Sequence, residues 1–237
     1  MPQKVEPEAP ARHPGRPAPA RLLPAPRGGL GLIAALAAAV VLALGIRYAG
    51  VGAPGSVDAR VGEALDGPGP LWWDLASVLD ALGEPVGATV LVAAVLTGCL
   101  LLRRPRAAVF TVVAVGLAVG LTTVLKHVVG RTIHGGYLSY PSGHTAFATA
   151  LALVVTLLAT HRRGRDGPGP GPGRTAGLLL LLAAALVAGA AMGWAQVVMG
   201  AHYPTDTLGG FCTALAVVPA TGWLVDRTAD AARRERR

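Results

Sequence analysis

The chain has 237 residues, of which 52% are hydrophobic and only 14% charged, against about 25% charged in an ordinary soluble domain. Mean hydropathy is +0.52 and the formal net charge is +8. This composition excludes a soluble globular enzyme and fits an all-α, polytopic membrane protein, so the excess of basic residues has to be explained by topology.

Residues 1–28 are rich in Pro, Ala and Arg and lack apolar periodicity, which predicts a disordered, basic cytoplasmic leader. Six apolar stretches follow, at 30–46, 85–102, 107–125, 145–160, 176–194 and 208–225. Each is near the lower end of the ~17–25 residues needed to cross ~30 Å of hydrocarbon. The first reads as an anchor, since the leader before it is long for a signal peptide. Between the first two spans, Leu71, Trp72, Leu75, Val78, Leu79 and Leu82 recur at helical spacing. They predict a helix that lies in the membrane interface or packs on the bundle's outer rim, and a lid over a lipid headgroup is a further role open to it. The run "GPGPGPG" at 167–173 is a low-complexity hinge between the fourth and fifth spans.

Seventeen of the 21 Lys and Arg residues fall in the leader, the turn after the second span, the loop after the fourth and the tail from Arg227. Arg47, Arg60, Lys126 and Arg131 are left for the other side. The asymmetry places both termini, including the basic tail 227–237, in the cytoplasm. Splitting the basic charge over four short segments also argues against a nucleic-acid partner. Cys99 and Cys212 fall near opposite ends of their spans, too far apart for a disulfide.

With that topology, Lys126, Arg131, His144, His202 and Asp206 all reach the outer face. Ionisable residues converging there suggest a site more than a set of interfacial anchors. In "YPSGHTAFATA" (140–150), Pro141, Ser142 and Gly143 start the fourth span and aim free N–H groups outward, which is an anion site. Ser142 also suits a plain N-cap. His202 and Asp206 are four apart, so the carboxylate can fix the histidine tautomer and leave the other ring nitrogen as a nucleophile. The competing reading makes His144, His202 and Asp206 a two-His, one-carboxylate metal set. Lys126 and Arg131 would repel a cation there, and no H-x-x-x-H pair occurs.

These residues resemble the type 2 phosphatidic acid phosphatase (PAP2) superfamily, which includes bacterial undecaprenyl-diphosphate phosphatases and vanadium haloperoxidases. Its signature is K-x6-R-P, then P-S-G-H, then S-R-x5-H-x3-D. Residues 141–144 match the second part, and His202 with Asp206 matches the end of the third. The chain departs from it at Ile133 and His134, where the first motif has Arg-Pro, and at Ala195 and Gln196, where the third has Ser-Arg. The resemblance implies a six-span domain over 29–226 and a phosphatase acting on a lipid phosphate or polyprenyl diphosphate at the outer face. It further implies His202 as nucleophile, Asp206 as its holder and His144 as acid and base. Lys126, Ser142, Gly143 and Arg131 would hold the phosphoryl oxygens, with no metal or other cofactor. The two missing arginines motivate an alternative, a catalytically weakened member that binds a phospholipid headgroup. Arg131, His134 and Gln196 are the candidates to replace them.

Overall fold

A computed structural model describes residues 27–67, 69–163 and 172–235. The expected leader and most of the 167–173 hinge lie outside those residues. The described chain is helical apart from one small hairpin. In order it forms α1 (Arg27–Arg47), α2 (Ser56–Leu65), α3 (Pro70–Gly83), α4 (Pro85–Leu101), α5 (Pro105–Val129), β1 (Thr132–Ile133), β2 (Tyr137–Leu138), α6 (Gly143–Arg163), α7 (Pro172–Val198) and α8 (Pro204–Arg234).

Five helices contain segments long and apolar enough to cross a membrane: α1, α5, α6, α7 and α8. The sixth expected span is α4, which at 17 residues is joined to α3 through a 64° bend. Proline begins both helices of that pair, at Pro70 and Pro85, where its fixed φ suits the first turn and its missing N–H costs nothing. The chain is therefore a multi-pass membrane protein, and among the described residues the bent α3–α4 pair brings the five candidate spans to the six that the hydropathy pattern predicts. Helix α8 runs on through Arg234, so basic residues of the expected tail continue its last turns.

Around α6 pack α5, α7 and α8, while α1 lies along α8. The core joins Phe110, Ala114 and Ala118 of α5 to Phe147, Ala150, Leu153, Val154 and Leu157 of α6. Leu181 and Ala185 of α7 and Ala214 and Val218 of α8 complete it. Alanines on all four helices alternate with these larger side chains and let the backbones approach closely, which matters where lipid gives helices little hydrophobic reason to associate. At Gly210 a Cβ would collide with the Ser142 carbonyl, so glycine there lets α8 touch the start of α6.

The long connection between the first two spans is folded onto the bundle. Helix α3 packs on α7, with Trp72 edge-on to Trp194 at 6.0 Å between ring centroids, which is the outer-rim alternative. Helix α2 docks against α8 and α7. Its apolar residues Val57, Val61 and Leu65 recur at helical spacing, yet Val57 and Val61 stay exposed while the polar Asp58 is buried. Where α5 ends, Gly130 takes φ 64°, a left-handed C-cap that glycine adopts without strain. The turn feeds β1, which pairs antiparallel with β2 through Thr132–Leu138 and Ile133–Tyr137. Cys99 and Cys212 are both free and buried.

Candidate active site

Four helix ends meet at one end of the bundle: the last turn of α5, the first turn of α6, the last turn of α7 and the first turn of α8. A backbone bond from Ser142 N–H to the Asp206 carbonyl, 2.9 Å, ties the entry of α6 to α8. His202, on the connection just before α8, is 7% exposed. Its Nδ1 faces Asp206 Oδ2 at 3.8 Å, just beyond hydrogen-bond reach. Nδ1 is buried without a hydrogen-bond partner in this conformation, and Nε2 lies on the side of the ring away from that carboxylate. Burial pushes the His202 pKa below the ordinary histidine value; the Asp206 carboxylate opposes the shift, while Lys126 and His144 add to it. The imidazole is accordingly neutral near pH 7, which is the form that carries a nucleophilic lone pair.

Lys126, half-buried near the end of α5, and His144, on the first turn of α6, both act electrostatically on His202. The expected group of Lys126, His144, His202 and Asp206 is therefore brought together at one end of the bundle. Ser142 is fully buried, and its Oγ accepts from the Thr145 hydroxyl at 3.1 Å and more weakly from the Thr145 N–H at 3.4 Å. It serves as a cap in this conformation. Gly143 opens α6 with backbone partly exposed.

Arg131, expected to reach toward phosphate, sits elsewhere. It is fully buried beneath the start of α8, where Nη1 donates to Asp206 Oδ1 and Thr205 Oγ1, and Nη2 to Asp58 Oδ2, each at 2.6 Å. The Tyr48 ring lies 3.8 Å from the guanidinium carbon and the Tyr203 ring 4.5 Å. Two carboxylates and two aromatic faces are the surroundings a planar, weakly hydrated cation favours. Asp206 is thus gripped from one side by Arg131 and from the other by the Tyr203 N–H at 3.0 Å.

Asp58 of α2 completes the network. One oxygen accepts the Thr205 N–H at 2.9 Å; the other accepts the Thr205 hydroxyl at 3.0 Å. Burial raises its pKa, but hydrogen bonds from Thr205, Arg131 and Gly55 outweigh that, so the carboxyl titrates below its usual range. Neither Asp58 nor Thr205 stood out in sequence. A carboxylate on a short polar helix carries no signal until the fold buries it.

The positions that depart from the signature are all accounted for. Ile133 is buried in β1. His134 is exposed with φ 49°, its Nε2 2.7 Å from the Gly200 carbonyl. Ala195 and Gln196 are buried in α7, and Gln196 Nε2 donates to Asp80 Oδ1 at 2.6 Å. Asp80 and Glu84 in turn flank His144, whose Nε2 is 3.6 Å from Asp80 Oδ1 and 3.5 Å from Glu84 Oε1. Gly83 packs directly on the His144 ring, with no room for a Cβ. Asp80, Glu84 and His144 bring one ligand atom each within 4.8 Å of one another, but Glu84 is more than half exposed.

Comparison with known proteins gives two matches. The PAP2 superfamily model covers residues 107–229, from the start of α5 into the last part of α8. The crystal structure described as the first transmembrane PAP2 type phosphatidylglycerolphosphate phosphatase, from Bacillus subtilis, superposes with a TM-score of 0.59. Sequence identity is 20%, covering 86% of this chain and 96% of the other. Among curated proteins none matches.

Proposed function

Because the chain belongs to the PAP2 superfamily, we propose that it is a membrane-embedded lipid phosphatase that works through a phosphohistidine on His202. The observation that carries this reading is the buried His202 with Nδ1 facing Asp206 Oδ2 at 3.8 Å and Lys126 and His144 acting on it electrostatically. The basic residues flanking the spans support an active site on the extracytoplasmic face.

Chemistry follows from the arrangement. His202 Nε2 attacks phosphorus in line, and the bond to the leaving oxygen breaks. His144 delivers a proton to that oxygen, then takes one from the water that attacks the phosphohistidine, so His202 and inorganic phosphate are regenerated. Lys126 and the α6 N-terminal amides at Gly143 receive the phosphoryl oxygens, with Ser142 beside them. Asp206 must approach His202 by about 1 Å to make a hydrogen bond, and the imidazolium-like state formed on attack draws it in. Arg131 acts behind the site, fixing Asp206.

A second reading, headgroup binding with weak turnover, is favoured by one observation. Arg131, His134 and Gln196 all have protein partners, so none of them supplies the charge of the missing arginines. Phosphate release from phosphatidate by purified protein in detergent with EDTA separates the two. Release that His202→Ala abolishes supports the enzyme; saturable phosphatidate binding without release supports the second reading.

A further inference from the structure

In the mechanism proposed above, His144 serves the leaving oxygen, so the leaving group occupies the space beside its ring. That space has an acidic wall. Asp80 and Glu84 stand 3.6 and 3.5 Å from His144 Nε2, on the junction where α3 bends into α4, with Gly83 pressed on the imidazole between them. Among the described residues, His144 is the basic group within 4 Å of either carboxylate. The hydrogen-bond partner of Asp80 is Gln196, a neutral amide. An arginine at 196 would have neutralised Asp80; the amide leaves its charge in place.

We propose that Asp80 and Glu84 set the substrate class: they favour phosphate monoesters with an uncharged alcohol leaving group and disfavour diphosphates. The inference rests on the phosphatase reading and on the role given there to His144. With a monoester, the ester P–O bond breaks and the departing alkoxide takes the His144 proton, leaving a neutral alcohol whose hydroxyls can donate to the carboxylates. With a diphosphate, attack on the terminal phosphorus breaks the anhydride bond, and the departing group is a lipid monophosphate. Its negative charge then develops beside two carboxylates whose basic neighbour within 4 Å, among the described residues, is His144, which gives up its proton in that step. One like-charge contact near a protein surface suffices for a rate difference of roughly tenfold or more.

The test compares phosphatidate with diacylglycerol pyrophosphate, which share their tails and differ by one phosphate. Both are assayed in detergent with wild type, Glu84→Gln, and the double variant Asp80→Asn/Glu84→Gln. Asn at 80 retains an acceptor for Gln196. The readout is the ratio of kcat/KM for the diphosphate over the monoester, which cancels any difference in folded fraction. In the double variant this ratio should rise by about tenfold or more, Glu84→Gln alone should shift it less in the same direction, and the wild-type bias should weaken as salt is raised. A double-variant ratio within about threefold of wild type, too small for a lost charge contact, overturns the proposal. If wild type releases phosphate from neither lipid, the phosphatase reading falls by itself. The rim is then read by binding to vesicles containing one lipid or the other, where the same rise in relative affinity supports the acidic filter and its absence overturns it.

Discussion

Arg131 offers the sharpest test of how the site is held. Its guanidinium lies between two buried carboxylates, bonding one oxygen each of Asp58 and Asp206 and the Thr205 hydroxyl, each at 2.6 Å. Arg131→Met keeps most of the apolar volume between Tyr48 and Tyr203 but leaves both carboxylates buried without their cation. Removing one partner of a buried pair costs about 3–5 kcal/mol, and here two anions are orphaned together, so the upper end applies. Asp58→Asn is milder, because Arg131 and Asp206 remain as a neutral pair. One charge-assisted bond is lost, about 1.5–3 kcal/mol. The double variant leaves a single carboxylate unpaired and should be less destabilised than the sum of the two changes. Unfolding in detergent followed by tryptophan fluorescence reads all three. Arg131→Met costing no more than Asp58→Asn, or both costing under about 0.5 kcal/mol, would refute the network. The pH dependence has a definite sign. Folding depresses the Asp58 pKa from 3.8, so its contribution is present above that value and fades as pH falls through the folded-state value. The gap between wild type and Asp58→Asn should therefore close in acid.

Three further outcomes follow. Burial lowers the His202 pKa, so the acid limb of kcat/KM should lie below the ordinary histidine value of about 6.5, and a limb above 7 would contradict a buried neutral nucleophile. Gln196→Arg should pair with Asp80, raise kcat/KM for phosphatidate by about tenfold or more and narrow the monoester bias; unchanged kinetics in a folded variant would mean that position 196 does not face the reacting phosphate. Gly83→Ala places a methyl against the His144 ring; kcat should fall while the unfolding midpoint stays close to wild type, and a wild-type kcat would show that the α3–α4 junction does not position His144.

Much of this was legible in the sequence, and the reason lies in what each feature needs. Six apolar runs and the distribution of Arg residues require no tertiary information, and they predicted six helices whose described segments match those runs. The clustering of Lys126, His144, His202 and Asp206 followed from topology alone, since alternate loops return to the same face. Arg131 shows the limit. A cation five residues past Lys126 looks like a phosphate ligand until the left-handed turn at Gly130 sends the chain inward and α2 brings Asp58 to meet it. Helix α2 is short and polar, and burying Asp58 depends on docking that no local pattern encodes. The acidic wall at Asp80 and Glu84 was equally hidden. The Trp72 helix could be foreseen, whereas its contact with Gln196 depends on how α3 packs against α7.

The central claim is a covalent phosphoryl group on His202, and rapid acid-free quenching of protein mixed with 32P-labelled phosphatidate tests it most directly. The account predicts a protein-bound label that is acid-labile and alkali-stable, maps to the peptide containing His202, and is absent in His202→Ala. Phosphate release at the wild-type rate with no such label, or labelling that survives His202→Ala, would contradict it.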